Sequence, residues 1–233
     1  RATNALDEAL AAPELIISVL PWHVVRAVWE PAARHLTGQP IVLSATKGIE
    51  DGTLCSTCEV LRAVLPREPH RRLAVLSGPS FAAEVARQQP TAVSVGATSP
   101  EVAQAVQGAL ATDYFRIYSS EDMAGVEIGG AAKNVVAIAV GMSDGLGFGA
   151  NARAALITRG LAEITRLAVH KGANPLTLAG LSGLGDLVLT CTGDLARNRR
   201  VGLRLGGGET LEQIQAESKM VAEGVFNAKS CCG

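Results

Sequence analysis

A change of hydrophobic period near the middle of the chain limits its fold more than any other feature. The first half holds five short runs rich in aliphatic and β-branched residues: "ELIISVL" (14–20), "PIVLSAT" (40–46), "LAVLSGP" (73–79), "TAVSVGA" (91–97) and "FRIYSS" (115–120). Helix-like stretches such as "PWHVVRAVWEPAARHL" and "LCSTCEVLRAVL" separate the early ones. Unbroken apolar strands alternating with helices predict a parallel sheet covered on both faces, an α/β layer of the nucleotide-binding type. From about Met123 helical periodicity takes over, most clearly in "NARAALITRGLAEITRLAVHKG". There Ile157, Leu161, Ile164 and Ala168 recur at helical spacing, Asn151 is placed to cap the start, and Lys171 and Gly172 suit the end. "LGGGE" (205–209) reads as a turn between helices.

With 233 residues the chain is long for one domain and short for two, so one full domain plus part of another is expected. Hydrophobic residues make up 48%, charged residues 18%, and the net charge is −1, which gives no electrostatic bias toward nucleic acid or an anionic membrane. The expected partner is a small molecule. Glu127, Lys133, Asn134 and Asp144 interrupt the oiliest stretch, so no uninterrupted run of the ~20 apolar residues a membrane helix needs is present. The start "RATNALDEAL" lacks the layout of a secretory signal, and a cytosolic setting is the expectation. Five cysteines, an odd number, read as reduced thiols. Cys55 and Cys58 form a lone C-x-x-C without a second pair at zinc spacing, so two ordinary helix residues are the simpler reading and no metal is expected.

Within "EIGGAAKNVVAIAVGMSDGLGFG" (127–149) a lysine and an asparagine, Lys133 and Asn134, sit among small apolar residues. Burying an ammonium costs several kcal/mol unless it is paired or loses its proton, so such a lysine points to chemistry. Open α/β sheets bind ligands at strand ends. Lys47 follows "IVLSAT", and Gly78, Pro79 and Ser80 follow "LAVLS" before a helical segment. Each alone is more simply a turn. Further on, Asp186 lies between apolar flanks, ahead of Arg197, Asn198, Arg199 and Arg200. A guanidinium beside a carboxamide suits phosphate oxygens, although a solvated basic turn is the simpler reading of the cluster by itself.

In combination, "LSATKGIE", "LSGPSFAAEV", "YFRIYSSEDMAGVEIGGAAKNVVAIAVGMSDGLGFGANARAALITRGLAEI", "GLGDLVLTCT", "ARNRRVG" and "VAEGV" occur in the order and with the spacings of the bacterial NAD(P)-dependent glycerol-3-phosphate dehydrogenases. The chain resembles that family from about residue 1 to residue 229. The G-G-A-x-K-N and G-D-L-x-L-T-C segments are its most specific marks. The resemblance implies an α/β plus all-α fold: an incomplete Rossmann-type doubly wound sheet (1–122, a partial dinucleotide-binding domain) followed by a helical substrate-binding and catalytic domain (123–233). It implies reversible hydride transfer between NAD or NADP and dihydroxyacetone phosphate, giving sn-glycerol 3-phosphate for phospholipid synthesis, in an enzyme that can form a homodimer.

By the same resemblance Lys133 matches the catalytic lysine, with Lys47 and Asp186 tuning its proton affinity. Lys47, Gly78, Ser80, Asp186, Arg197 and Asn198 match substrate contacts. Asn134 would orient the substrate hydroxyls. Lys47, Ala82, Arg197, Val221 and Glu223 match positions near the dinucleotide. Ala196 stands where relatives carry serine, which is expected to cost one phosphate hydrogen bond. The family's G-x-G-x-x-G turn is expected ahead of Arg1. Two alternatives remain at this point: a related two-domain hydroxyacid dehydrogenase, against which the R-N-R-R cluster argues, and a binding protein that has kept the fold without catalysis.

Overall fold

A computed structural model of the chain describes residues 2–217 and 222–232. After a short helix α1 (Leu6–Ala9), the five apolar runs form β1 (Leu15–Ser18), β2 (Ile41–Ser44), β3 (Leu73–Ser77), β4 (Thr91–Ala97) and β5 (Phe115–Ser120). Between them lie α2 (Val25–Ala32), α3 (Thr57–Val64), the single turn α4 (Ala82–Val85) and α5 (Pro100–Leu110). The strands lie side by side in chain order, β1-β2-β3-β4-β5. In β2, Ile41 and Leu43 point into the cluster that includes Val102, Ala103 and Val106 of α5. Val42 points the other way, among Val25, Trp29, Val60 and Leu61 of α2 and α3. A strand buried on both sides has no polar face, and this is why the β2 and β3 runs are unbroken, whereas β5 alternates buried Ile117 with exposed Arg116 and Tyr118.

The sheet departs from the all-parallel expectation at one joint, because β3 and β4 pair antiparallel while the other neighbours are parallel. The cause is the connection 78–90. Its only helix is the four-residue α4, too short to carry the chain back across a face as a parallel crossover requires. β1 is an edge strand, with Ile17 and Val19 exposed.

The chain is helical after β5: α6 (Met123–Gly145), α7 (Ala150–His170), α8 (Pro175–Leu178), α9 (Asp186–Thr192), α10 (Arg197–Gly206), α11 (Leu211–Glu217) and α12 (Glu223–Cys232). Asn151 lies one residue inside α7, whose N-cap is Gly149. At the other end Lys171 is the C-cap and Gly172 takes the left-handed conformation at φ +86°, as expected. α6 is long and apolar enough to cross a membrane, but 72% of its most apolar window is buried within the protein. Its oiliness is that of a central core helix, touching β3 and β4 on one side and α7, α9, α10 and α12 on others. Against α10 the approach is backbone to backbone. A β carbon on Gly141 or Gly145 would strike the main chain of α10, and one on Gly202 or Gly206 would strike that of α6.

Candidate active site

The placement of Lys133 begins with the cap of α6, where Asp122 accepts the Gly125 amide at 2.9 Å and, through its second oxygen, the Asn174 amide at 2.9 Å. Two turns on, the Gly129–Gly130 pair lets other parts of the fold come close. A β carbon on Gly129 would meet the Ser182 backbone, and one on Gly130 would meet Ser77 Oγ and lie 3.7 Å from Lys47 Cδ. Lys133 and Asn134 follow one helical turn on, 6% and 4% exposed.

Opposite them a five-residue π turn (Leu181–Gly185) leads into α9, whose first residue is Asp186, 1% exposed. Widened turns of this type are frequent at functional sites. Asp186 forms an ion pair with Lys133 through Oδ1, while Oδ2 accepts Lys47 Nζ at 2.9 Å. One buried carboxylate thus stands between two ammonium groups. Burial brings the Lys133 pKa down to about 7, the nearby Lys47 charge adds to that fall, and Asp186 opposes it.

The two lysines of this triad line a cavity of about 540 Å³. Of the residues expected at the site, Lys47, Ser80, Ala82, Lys133, Asn134, Arg197, Asn198 and Glu223 all line it. Asp186 lies behind the two lysines. Gly78 supports the rim, since Ser80 Oγ donates to its carbonyl at 3.1 Å and its φ of +143° suits only glycine. Val221 lies outside the described residues. Sequence reasoning missed Thr190, Phe81 and Leu195, which also line the cavity. For Thr190 a signal existed: it stands one helical turn after Asp186 and donates to the Asp186 carbonyl at 2.6 Å.

The basic cluster is divided by its helix. Arg197 and Arg200 reach the cavity, whereas Arg199 turns away to Asp144, at 2.9 Å, which also pairs with Arg153 at 3.0 Å. Asn198 accepts the Gly224 amide through Oδ1 at 2.9 Å, so its NH2 end is left for the cavity. Glu223 begins α12 at the same opening. Burial pushes its carboxyl pKa up, against the pull of Arg197, Lys47 and Lys133. Ala196 is 3% exposed and is the N-cap of α10, with no side-chain cap bond. A serine hydroxyl at this position is therefore placed to cap the helix that carries Arg197 and Asn198.

Another cavity of about 520 Å³ opens at the start of β1 and β2, beside Glu14, Gln39 and Arg72, but it lacks a comparable set of converging polar groups. Cys58 is buried, its thiol pKa pushed up by burial, and no cluster of three metal-ligating side chains occurs among the described residues.

Residues 1–103 match the model of the NAD-dependent glycerol-3-phosphate dehydrogenase N-terminus and residues 122–232 that of its C-terminus. The chain is 58% identical over 230 residues to the glycerol-3-phosphate dehydrogenase (NAD(P)+) of Myxococcus xanthus, covering 99% of this chain and 69% of that protein. It is 59% identical over 230 residues to the enzyme of the same name from Anaeromyxobacter sp. strain K, covering 98% and 69%. The crystal structure of glycerol-3-phosphate dehydrogenase from Coxiella burnetii superposes with a TM-score of 0.91 at 40% identity, over 97% of this chain and 68% of that one. On both the sequence and the fold, the chain belongs to the NAD-dependent glycerol-3-phosphate dehydrogenase family.

Proposed function

We propose that the cavity is the active site of an NAD(P)-dependent sn-glycerol-3-phosphate dehydrogenase, which interconverts dihydroxyacetone phosphate and sn-glycerol 3-phosphate, the phospholipid backbone. One observation carries this reading: Lys133 and Lys47, both paired with the buried Asp186, line one cavity together with Arg197, Asn198 and Arg200. The first can handle a proton at a carbonyl, and the second can hold a phosphate. The residues present also fit the dinucleotide, since apolar Phe81 and Leu195 line the same cavity as the cations of Lys47 and Arg197, a lining suited to a flat ring with a polyphosphate tail. Lys47, Ala82, Arg197 and Glu223 would hold it. When bound, NAD(P)H supplies the hydride that reduces C2.

The protein supplies placement and the proton. Arg197 and Asn198 hold the phosphate, so that binding energy far from C2 orients the carbonyl toward Lys133. Lys133 Nζ gives a proton to the carbonyl oxygen as charge develops there, and becomes a neutral amine. Asp186 then keeps Lys47 as its remaining ammonium partner. In the reverse direction the neutral amine takes the alcohol proton. A pKa of about 7 lets one group do both near neutral pH. Asn134, buried beside Lys133, orients the substrate hydroxyls. In this reading residues 1–122 serve the dinucleotide and 123–233 the substrate. The enzyme is cytosolic, in keeping with the free thiols of Cys55, Cys58 and Cys191, and can pair as a homodimer.

The test is NADH and NADPH oxidation with dihydroxyacetone phosphate, using the chain extended to the full length of its relatives. Turnover that requires the phosphate supports the reading. Equal turnover of unphosphorylated dihydroxyacetone, or none with either substrate, overturns it.

A further inference from the structure

α6 carries a second buried charged residue that the proposed chemistry leaves unused. Glu127 is 5% exposed, six residues before Lys133, and accepts the backbone amide of Cys58 at 2.7 Å. That amide belongs to the first turn of α3, whose N-cap Ser56 already makes a reciprocal pair with Glu59. Glu127 thus reaches from the helical half of the chain to the sheet half. What it grips leads directly to the site. Ser56 forms an isolated β-bridge with Ile49, the Glu50 amide donates to Cys55 O at 2.8 Å, and Lys47 lies two residues before Ile49. The segment 47–58 is therefore a closed loop, with Lys47 at one end and the Glu127 contact at the other.

We propose that Glu127 is a positioning residue: by holding the Cys58 amide it fixes the 47–58 loop against α6, and so sets Lys47 at its distance from Asp186 and Lys133. The reasoning is mechanical. Lys133 and Glu127 share one rigid helix, while the Lys47 backbone belongs to the loop after β2 and only its side chain passes beside that helix, at Gly130. The Lys47 contact with Asp186 at 2.9 Å bridges the two halves, and the contact from Glu127 to Cys58 bridges them again at the far end of the same loop. A side chain partly open to solvent, as Lys47 is, keeps a fixed place only if its loop is anchored.

The consequence is a change in the proton affinity of Lys133. The ionisable groups facing Lys133 are Lys47 from the loop after β2, Asp186 and Cys191 from α9, and Glu223 from α12. Those facing Glu127 are Cys58 and Glu59 of α3, and burial raises the Glu127 pKa. When Lys47 is free to move away, Lys133 loses a like charge and holds its proton more tightly.

This inference rests on the reading of Lys133 as the acid. The experiment is the pH profile of kcat/KM for dihydroxyacetone phosphate reduction by the full-length enzyme and three variants. Glu127→Leu, which cannot accept the Cys58 amide, is expected to move the falling limb to higher pH by about one pH unit. Glu127→Gln keeps an acceptor there and is expected to leave the limb in place. Glu127→Asp, one methylene too short, is expected to move the limb the same way as Leu, and serves if the Leu variant does not fold. A limb that stays put in both Leu and Asp, or moves equally in Gln, overturns the positioning role alone. Absence of the limb from the unaltered enzyme overturns the Lys133 reading as well.

Discussion

Asp186→Asn is the substitution that most directly questions the proposed proton chemistry. The carboxylate is 1% exposed and holds both Lys47 and Lys133, and its charge raises the pKa of Lys133 against burial and Lys47. Asparagine keeps the shape and removes the charge. Losing an opposite charge in direct contact moves a pKa by about 1 to 3 units, here downward. Lys133 starts at about 7, half protonated at neutral pH. A fall of one unit leaves about a tenth protonated at pH 7, and two units about a hundredth, so ionisation alone cuts the available acid roughly 5- to 50-fold. The falling limb of the reduction profile and the rising limb of the oxidation profile both move to lower pH.

Stability follows with a definite sign. A lysine whose folded pKa lies below its unfolded value destabilises the fold fully below the folded pKa, and this effect is relieved as the pH rises. Removing a partner from a buried ion pair costs about 3 to 5 kcal/mol, less here because Lys133 can shed its proton. The variant's deficit in Tm should therefore be greatest in acid and shrink as the pH passes through the two folded-state values. Steady-state kinetics from pH 5 to 9 in both directions, with thermal melts in the same buffers, make the measurement. A variant that is slower but keeps its limbs at the original pH would refute the assignment of Lys133 as the titrating acid under Asp186 control.

Lys133→Ala is expected to lower kcat by roughly 10²- to 10⁴-fold, the range for a lost general acid, in assays with saturating cofactor and substrate; near-full turnover would remove Lys133 from the mechanism. Arg197→Ala is expected to lower kcat/KM for dihydroxyacetone phosphate by roughly 10- to 150-fold, with little change for dihydroxyacetone; equal losses on the two would show that Arg197 does not serve the phosphate. Ala196→Ser adds a hydroxyl at an uncapped helix start and should raise stability to denaturant by about 0.5 to 2 kcal/mol, read from the urea midpoint at unchanged slope. No gain would mean that the buried position cannot accept the oxygen in capping geometry.

The inner strands β2 and β3 could be read from the chain because burial on both faces leaves a compositional mark, and Lys133 with Asn134 because charge and amide stand out in an apolar helix. The reversal at β4 left no such mark, since strand direction depends on how the 78–90 link spends its residues. Composition alone did not separate the three arginines Arg197, Arg199 and Arg200. Which of them faces the cavity depends on helix phase and on Asp144, far away in the sequence, which takes Arg199. Family resemblance singled out Asp186, yet the π turn that leads into it was announced by no local pattern. Glu127 looked like an interruption of an oily run, because its partner is a backbone amide that sequence does not display.

The seam between α6 and α10 has a consequence for how such an enzyme changes over time. Where leucine packs on valine, a lost methyl can be repaired by a gain across the gap, and the spacing of two helices can drift through many small exchanges. At Gly141, Gly145, Gly202 and Gly206 main chain lies against main chain, so there is no volume to trade and any added atom forces the helices apart. The joint is brittle to a single change and closed to gradual ones. Lys133 rides on one helix and Arg197 on the other, so the reach from the proposed proton donor to the proposed phosphate anchor is inherited as a fixed length.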